Sequence, residues 1–425
     1  MSECTYTITE HDRAILRELG KKARELAEGA RNQDIRRRWY AHDEGHCERP
    51  LILTETDGGM QMVLPDWQPR CRETWARNLE GMFQSWFMHA EVIGDDFPLE
   101  PYVTWQWRVE SSNYGVQVQH VRADTPGVRG AFHIEPPLKT LPDDLDLLKP
   151  RTFTVDREGT LAWKATLEDV FDGVMGVRQR GNYWWTLGLT IVAIDLIGLE
   201  QLMLAMYDAP DALHRLMDFL CGDHLAYLDF LERENLLALN NENDYCGSGS
   251  RGYTRRLPRP GHRTSDRVGT QDLWCLLESQ ETVGVGPELF DEFIFGRQER
   301  LARRFGAVYY GCCEPVHTRW HVLTRLPNLR RVSVSPWCDE AFMAEACAAR
   351  KIAYSRKPNP TLVSTETFDE AAIRRDLRTT MELTRKHGCA TEIVMKDVHT
   401  LQGHPDRLTR WVALARQVSR EVYGA

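Results

Sequence analysis

The sequence predicts an α/β protein built on a parallel sheet, most simply a (β/α)8 TIM-type barrel with an N-terminal helical and irregular extension. From residue 159 onward, short apolar runs rich in β-branched and aromatic residues alternate with amphipathic helical patterns. This alternation is typical of a parallel sheet covered by helices. An open doubly wound sheet is the second solution. The length of 425 residues fits one large barrel with an added region.

The predicted extension covers residues 1–150 and caps the barrel, which covers residues 151–425. Within the extension, 9–39 carries apolar residues at helical spacing, with Thr9 or Asp12 available as the N-cap. The segment 51–55 is a candidate short strand, and 71–93 is a second amphipathic helix. We expect a stretch between 102 and 121 to supply the eighth strand of the barrel.

Seven strands and four helical regions are predicted after the extension. Continuous apolar runs bounded by Gly, Pro or Asn favour strands that are buried on both faces. The predicted strands are 185–192, 236–241, 272–278, 307–313, 330–336, 351–357 and 391–397, and the predicted helical regions are 198–235, 286–306, 340–350 and 366–388.

Charge, hydropathy and cysteine usage exclude several classes of protein. A net charge of -9 argues against non-specific nucleic-acid binding. The longest apolar stretch, 187–199, is too short to span a bilayer and contains Asp195. The N-terminus lacks an apolar signal region, and the 11 cysteines are odd in number and scattered. We therefore expect reduced thiols, a cytoplasmic location and a small-molecule substrate, with no nucleic-acid or membrane partner.

Polar side chains recur where the predicted strands end. In a (β/α)8 barrel the chemistry lies at the C-terminal rim, where such strand ends meet. We therefore predict the functional site at this rim. Its candidate substrate-binding residues are Asn240, Glu242, Tyr245, Trp337, Asn359 and Lys396.

A thiol cluster at the rim predicts a zinc site. Cys312 and Cys313 follow a buried strand, and Cys338 and His399 follow two others. Thiolate and imidazole groups are the ligands that zinc prefers. The spacing contains no CxxC pair, and burial as a small hydrophobic side chain is the alternative for Cys312. His42, His46 and Cys47 also have metal-like spacing, but the surrounding acidic and Arg-rich loop predicts a surface position.

The rim also carries candidate acid–base residues. Glu278, Glu314 and Asp397 are predicted to act as general acids or bases, since carboxylates crowded in a dry mouth acquire raised pKa values. Lys357 and Lys396 can neutralise them in a structural network instead. Lys357 is also placed among the catalytic candidates, because it can grip an anionic substrate.

The region from about residue 187 to the C-terminus resembles the uroporphyrinogen decarboxylase superfamily. The likeness rests on IGLEQLMLAMYDAPDALHRLMDFL (197–220), on ETVGVGPELFDEFI (281–294), on YYGCCEP (309–315) and on KPNP (357–360), in the family's order. Cys313 occupies the place of the cysteine in the family's His-x-Cys strand, but Gly311 stands where the histidine belongs. Lys396, Asp397 and His399 stand where the second cysteine would fall.

The resemblance implies a (β/α)8 barrel that acts as a methyltransferase. In that branch, zinc activates a thiol, and a methyl group moves between a corrinoid protein, or a small methylated compound, and the thiol acceptor. Cys313 and His399 would then hold zinc, while Trp337 and Tyr245 would wall the pocket. The resemblance also implies a corrinoid protein as partner and pairing into homodimers.

Two alternatives to the methyltransferase stay open. The first is a metal-free decarboxylase or lyase, in which Lys357 and the arginines of 251–256 hold substrate carboxylates. The family's decarboxylases carry an Arg-Gln-Ala-Gly-Arg motif, which this sequence lacks. The second is a corrinoid- or tetrapyrrole-binding protein without catalytic turnover.

Overall fold

A computed structural model describes residues 6–122 and 132–424 of the chain. Its centre is a six-stranded sheet in the order β1-β14-β13-β12-β11-β10. Each neighbouring pair in this sheet is parallel. Helices follow the strands and pack on the outer face, where apolar side chains from the strands and helices form the largest core cluster. The α/β class is therefore confirmed.

The strands of the described ranges are short. They are β1 Leu51–Thr54, β2 Tyr102–Trp105, β3 Arg108–Ser111, β4 Gln119–Arg122, β5 Phe132–Glu135, β6 Phe153–Asp156, β7 Gly176–Gln179, β8 Tyr245–Gly247, β9 Ser250–Arg251, β10 Trp274–Leu277, β11 Ala307–Tyr310, β12 Leu329–Val334, β13 Ala353–Arg356 and β14 Thr391–Met395. Outside the main sheet, β2 pairs with β7, β3 with β6, β4 with β5 and β8 with β9.

The helices range from one turn to more than six. They are α1 Glu10–Glu28, α2 Ala30–Asp43, α3 Thr74–Phe87, α4 Arg157–Phe171, α5 Thr190–Ile197, α6 Leu199–Asp208, α7 Pro210–Arg233, α8 Pro287–Phe290, α9 Gly296–Ala302, α10 Trp320–Leu323, α11 Glu340–Arg350, α12 Thr361–Ser364, α13 Glu370–His387 and α14 Arg407–Tyr423. Two π-helical turns, Met88–Ile93 and Asp291–Phe295, adjoin α3 and α8.

Five of the seven strands predicted after residue 150 are present, as β10 to β14. The other two predictions are wrong. The end of the segment 185–192 lies in helix α5, Thr190–Ile197, because Leu189 adopts a left-handed backbone (φ 71°) that ends the extended run. The segment 236–241 forms no strand, because the side chain of Asn240 takes the place of a backbone partner.

The six-stranded sheet is consistent with a TIM-like fold. Among the described residues, however, no strand pairing joins its two edge strands, β1 and β10, into a closed barrel. At one edge of the sheet, the Asn240 amide accepts from the Trp274 N–H at 2.9 Å and donates to the Trp274 carbonyl at 3.0 Å. At the other edge, the Asp96 N–H donates to the Ile52 carbonyl at 2.7 Å, and the Asp96 carboxylate accepts from the Ile52 N–H at 2.9 Å. Residues of irregular segments thus form hydrogen bonds with the outer backbone N–H and C=O groups of both edge strands.

The N-terminal part of the chain contributes directly to this sheet. Strand β1 forms its edge and pairs with β14 in register from Leu51–Glu392 to Thr54–Met395. The predicted helix 9–39 is present as α1 and α2, with Thr9 as the N-cap that accepts from the Asp12 N–H at 3.1 Å. Since α1 and α2 meet at Gly29, which has extended backbone, the helix turns there.

A short hairpin, β8–β9, lies against the inner face of the sheet. A Cβ at Gly247 would lie 2.5 Å from the ring of Tyr309 on β11, and one at Gly249 would lie 2.8 Å from Val394 on β14. Glycine at these positions allows the hairpin backbone to approach two different strands. The sheet therefore curves around the hairpin.

A buried ion pair fills the space beneath the hairpin. Arg331 on β12 and Glu392 on β14 are fully buried, with the Nη1 and Oε2 atoms 3.3 Å apart. Arg331 also donates to the Ser250 hydroxyl and, at 2.8 Å, to the Arg251 carbonyl of the hairpin. Its guanidinium lies 5.3 Å from the ring centroid of Trp274. One side chain thus links β9, β10, β12 and β14.

Within the described ranges, no single helix is long and apolar enough to cross a membrane. Helices α5 and α6 together reach the required length and composition, but they are bent by 94° relative to each other.

The buried pair makes a stability prediction. Arg331→Met leaves the Glu392 carboxylate buried without its cation, so the free energy of unfolding should fall by about 3–5 kcal/mol. The double variant Arg331→Met/Glu392→Gln should recover part of this loss, because the buried carboxylate charge is removed together with its guanidinium partner. Urea unfolding followed by circular dichroism measures both changes. A single variant as stable as the wild type would contradict the role of the pair.

Candidate functional site

Chemically reactive side chains meet where β10, β11 and β14 end. The strands place Glu278, Cys312, Glu314 and Lys396 within one buried cluster at the carboxyl edge of the sheet. Because parallel strands end at the same edge, residues that are far apart in the sequence converge there. The predicted rim location is therefore the place where these four residues lie together.

The turn after β11 is fixed by its own carboxylate. Glu314 Oε2 accepts from the Cys312 N–H at 2.8 Å, and Oε1 accepts from the Ser279 N–H of the neighbouring strand end at 2.9 Å. Gly311 begins the turn with φ 94°, a backbone conformation that L side chains rarely adopt. Ser333 donates to the Cys312 carbonyl at 2.7 Å. These contacts hold the two cysteines in a defined orientation.

Cys312 is the activated thiol of the cluster. Its Sγ atom lies 3.6 Å from the Cys313 Sγ and 3.6 Å from the Lys396 ammonium, and it is buried. The hydrogen bond from Cys313, together with the Lys396 charge, lowers the pKa of Cys312 below that of an ordinary thiol. The same thiolate raises the pKa of Lys396, so the pair favours the charged form of both groups.

Cys313 has the opposite character. Its hydrogen bond to the Cys312 sulfur and its burial raise the pKa of the Cys313 thiol. Its Sγ also lies 3.6 Å from the Asp397 Oδ2, while the Asp397 Oδ1 pairs with the Lys396 ammonium at 2.9 Å. Cys312 therefore loses its proton more readily than an ordinary thiol, and Cys313 less readily. The family resemblance instead places the family's cysteine at Cys313.

Glu278 is a buried acid beside the thiols. Its Oε2 accepts from the Gln280 N–H at 3.0 Å, while Oε1 is buried without a hydrogen-bond partner in the described structure. Burial, with Glu281 and Glu314 close by, raises the pKa of Glu278 well above its usual range. A Cβ at Gly188 would overlap the Glu278 carbonyl oxygen, so glycine is needed there for close approach. Glu278 is thus arranged to keep its proton.

Lys357 lies deeper, at the end of β13. Its ammonium hydrogen bonds to the Ser355 hydroxyl and lies 5.7 Å from the centroid of the Tyr309 ring. Burial lowers the pKa of Lys357 to about 8, and the nearby Lys396 charge acts in the same direction, against the attraction of Glu392. A lysine of this kind supplies a neutral amine more readily than an exposed lysine does.

Aromatic side chains surround the opening of the site. Burial raises the pKa of Tyr245 to about 12, so this phenol stays protonated. Trp337 is 64% exposed and lines, with Cys313, an open cleft of about 490 Å³. Trp185 is 45% exposed and lines, with Tyr245, a second cleft of about 520 Å³. The cleft beside Trp337 therefore reaches Cys313, and the cleft beside Trp185 reaches Tyr245.

Two of the predicted metal ligands make no hydrogen bond to Cys312 or Cys313 among the described residues. The Cys338 Sγ contacts the Ser335 hydroxyl at 3.6 Å and the Glu314 carbonyl at 3.9 Å, and His399 is exposed. Among the described residues, no group of three His, Cys, Asp or Glu side chains is placed to hold a metal ion. The Lys396 ammonium beside Cys312 also repels a cation. The residues present therefore do not form a ready zinc site.

Three predicted substrate-binding residues have structural partners. Asn240 is hydrogen-bonded to Trp274, as described above. Glu242 accepts from the Tyr102 hydroxyl at 2.6 Å and pairs with Arg180. Asn359 accepts from the Thr361 N–H at 3.0 Å at the start of α12. Tyr245, Trp337 and Lys396 are the three that border the reactive cluster.

Two carboxylates near the site were missed in the sequence. Glu55 follows β1, contacts the Gly249 position of the hairpin and interacts electrostatically with Lys357. Glu281 lies next to Glu278 and accepts from the Thr190 hydroxyl at 2.7 Å. The apolar run 51–54 followed by Glu55 was the available signal for the first. It was overlooked because 51–55 was assigned to the extension rather than to the sheet.

Comparison with known proteins adds little to this description. No protein-family model matches the sequence, and no curated protein matches it. Among solved structures, the chain is similar to a methyltransferase from Methanosarcina mazei, with 12% sequence identity and a TM-score of 0.48. The match covers 90% of this chain and 98% of that one. A likeness at this level carries no statement about activity or family membership.

The lowered pKa of Lys357 predicts how stability depends on pH. The folded protein binds this proton less tightly than the unfolded chain does, so the charged lysine costs free energy at pH 7. This cost is complete below about pH 8 and vanishes above the ordinary lysine pKa of about 10.4. The stability of the wild type relative to Lys357→Met should therefore rise between pH 8 and pH 10.

Urea unfolding at several pH values measures this difference. The matched control is Lys21→Met, because Lys21 is an exposed lysine on α1. Its stability relative to the wild type should not change over the same pH range. A flat difference for Lys357→Met would show that the Lys357 proton is bound equally in the folded and unfolded states.

Proposed function

We propose that the protein is an enzyme that transfers a methyl group to the sulfur of a small thiol substrate. The observation that carries the proposal is the 3.6 Å contact between the Cys312 sulfur and the Lys396 ammonium at the opening of the site. A cation that lowers the pKa of a thiol keeps it as a thiolate near neutral pH, and a thiolate in contact with a substrate thiol can accept its proton. The resemblance of 187–425 to the uroporphyrinogen decarboxylase superfamily points to the same activity.

In the proposed reaction, Cys312 acts as the general base. The substrate thiol enters through the cleft lined by Trp337 and Cys313 and gives its proton to the Cys312 thiolate. The substrate sulfur, now a thiolate, is stabilised by Lys396 and attacks the methyl carbon of the donor. The S–CH₃ bond forms, the bond from the donor to the methyl group breaks, and its electron pair remains on the donor. Cys312 then loses the proton to solvent.

The methyl donor in this proposal is a methylated corrinoid protein or a small methylated compound. The open cleft lined by Trp337 and Cys313 leaves room for a bulky donor beside the thiols. For a small donor, the protonated Glu278 can give its proton to the departing atom. Glu314 is fully occupied by two backbone N–H groups, so we assign it a positioning role.

Variants of the thiol and the lysine test this proposal. Demethylation of methylcobalamin, followed by absorbance in the presence of a panel of small thiols, provides the assay. Cys312→Ser should lower kcat/KM by about 10² or more, because the general base is lost. Lys396→Met should move the acid limb of the pH–rate profile to higher pH, because the Lys396 charge lowers the pKa of Cys312.

The matched controls are Cys47→Ser and Lys21→Met, which change the same residue types away from the site. Both should keep the wild-type rate and pH profile. If Cys312→Ser retained the wild-type rate at all pH values, Cys312 would not be the base. If no thiol supported demethylation by the wild type, the methyl-transfer proposal itself would fail.

A zinc-dependent form of the proposal remains open to measurement. It would take Cys312 and Cys313 as thiolate ligands and needs further ligands from the substrate or from side chains that move. Since Lys396 already supplies a positive charge at 3.6 Å from Cys312, we expect tag-free protein to contain well below one zinc per chain. Elemental analysis by inductively coupled plasma mass spectrometry measures this. Near-stoichiometric zinc that is lost in Cys312→Ser would support the zinc-dependent form instead.

Lys357 favours a second candidate function, the decarboxylation of a small keto acid. A buried lysine amine beside a second cation can form a Schiff base with a ketone, and the resulting iminium accepts the electron pair released with CO₂. The amine of Lys357, with its lowered pKa and the neighbouring Lys396, matches this pattern. Decarboxylation should be lost in Lys357→Met and partly retained in Cys312→Ser, the reverse of the pattern expected for methyl transfer.

A further inference from the structure

A second cavity lies at the opposite end of the sheet. It occupies about 320 Å³ near the start of β12, β13 and β14, between the end of α2 and the ends of α11 and α13. Ala353 of β13 lines this cavity, whereas Lys357 of the candidate active site lies four residues further along, about 13 Å away along the chain. The proposed function makes no use of this cavity, so its role is a separate question.

Two cations of the cavity lack an acidic partner. Arg330 and Lys351 line it, and within the described ranges no carboxylate is within ion-pair distance of either. The carboxylates that also line it are already engaged. Asp43 accepts from the Thr254 hydroxyl at 2.6 Å and faces Arg256 at 3.6 Å, and Glu44 pairs with Arg255 at 2.5 Å. Positive charge is therefore in excess at the cavity rim.

The inner wall of the cavity carries an unsatisfied imidazole. His42 is 2% exposed, and neither of its ring nitrogens has a hydrogen-bond partner among the described residues, although Nε2 faces the Glu392 carboxylate at 3.9 Å. Burial and the nearby Arg331 charge lower the pKa of His42 to about 3, so the ring is neutral. A neutral ring offers one donor and one acceptor. Because Nε2 faces Glu392, Nδ1 is the nitrogen left for a ligand, and leaving it unused in a buried position costs free energy that a bound polar molecule would recover.

The remaining wall is apolar and small. Cys347, Ala348, Ile352 and Cys389 line it, and the backbone carbonyls at the ends of α11 and α13 are capped by N–H groups of Ile352 and Cys389. A volume of about 320 Å³ is at the small end of ligand pockets and suits a molecule with one ring. Such a wall accepts an apolar body and offers it no further charge.

We propose that this cavity binds a small carboxylate with an aromatic or branched apolar body. The carboxylate pairs with Arg330 and Lys351 at the rim, the apolar body packs against Cys347, Ala348 and Ile352, and His42 hydrogen bonds to a polar group at the inner end. A cationic ligand would meet Arg330 and Lys351 unfavourably. A neutral ligand of the same shape would leave both cations unpaired.

Fluorine NMR with three probes of similar shape tests the charge requirement. The probes are 4-fluorobenzoate, 4-fluorobenzyl alcohol and 4-fluorobenzylamine, titrated separately with the full-length protein. We expect saturable binding of the benzoate, with the alcohol and the amine at least about tenfold weaker because neither forms the ion pair. Absence of saturable benzoate binding, or equal binding of the amine, would overturn the proposal.

Variants locate the binding. Arg330→Met should weaken 4-fluorobenzoate binding by about tenfold or more, and Ala348→Phe should abolish it by filling the cavity. Arg350→Met is the matched control, because this exposed arginine is close in sequence to the cavity but does not line it. It should bind as the wild type does. Circular dichroism and thermal unfolding verify that each variant is folded.

The two classes of variant also separate this cavity from the candidate active site. Benzoate binding that persists in Ala348→Phe, or that responds equally to Arg330→Met and Arg350→Met, would place the ligand elsewhere and refute the proposal. Loss of methyl transfer has no bearing on this result. Binding lost in the cavity variants and kept in Cys312→Ser would support it.

Discussion

The buried pair of Arg331 and Glu392 is the constraint on which the interior of the sheet depends. A charged pair inside a sheet is costly to desolvate, so hydrogen bonds from its polar atoms offset part of that cost. Arg331 Nη1 donates to the hairpin β8–β9 and so holds the hairpin against the inner face of the sheet, while Nε and Nη2 have no hydrogen-bond partner among the described residues. Alternate residues of a strand share a face, so Lys396, just after β14, points to the same face as Glu392. The pair at the base of the interior thus determines which side chains reach its opening.

Charged side chains inside the sheet also shift the pKa values of the groups at its opening. Glu392 lies below Lys357 and attracts it, while Lys396 lies beside it and repels it. Lys396 is in turn held by the Cys312 thiolate and Asp397. Its charge is therefore shared between two anions, and a metal cation at Cys312 would have to compete with an ammonium already in place.

Much of the fold could be predicted from the sequence, and the misses have physical causes. Apolar runs bounded by turn residues identified β10 to β14, because buried parallel strands need such runs. The segment 236–241 has the same composition, but the Asn240 side chain replaces a backbone ladder, which periodicity cannot show. His42 was predicted at the surface from its loop-like surroundings. It is buried, because α2 extends to Asp43 and places Ile35, Trp39 and His42 on one inner face.

The position of the site could be predicted from the sequence, but the orientation of its side chains could not. The polar residues that follow the strands identified the rim, because the carboxyl ends of parallel strands lie at the same edge of a sheet. The backbone conformation of the turns after the strands sets the side-chain directions of Cys338, Asp397 and His399. Turns have no repeating sequence pattern from which such directions can be predicted. Asp397, for example, has φ 58°, which turns its side chain back toward Lys396 and leaves His399 exposed.

At the opening of the site, the pKa values of neighbouring groups are shifted in opposite directions. Cys312 loses its proton more easily than an ordinary thiol, while Cys313 and Glu278 hold theirs more tightly. The Cys312 thiolate is stabilised by the hydrogen bond from Cys313 and by the Lys396 ammonium, and the protonated Glu278 adds no negative charge beside it. Divergent pKa values within one cluster are the usual mark of assigned acid and base roles. On this argument the base is Cys312, and the proton donors are the buried groups beside it.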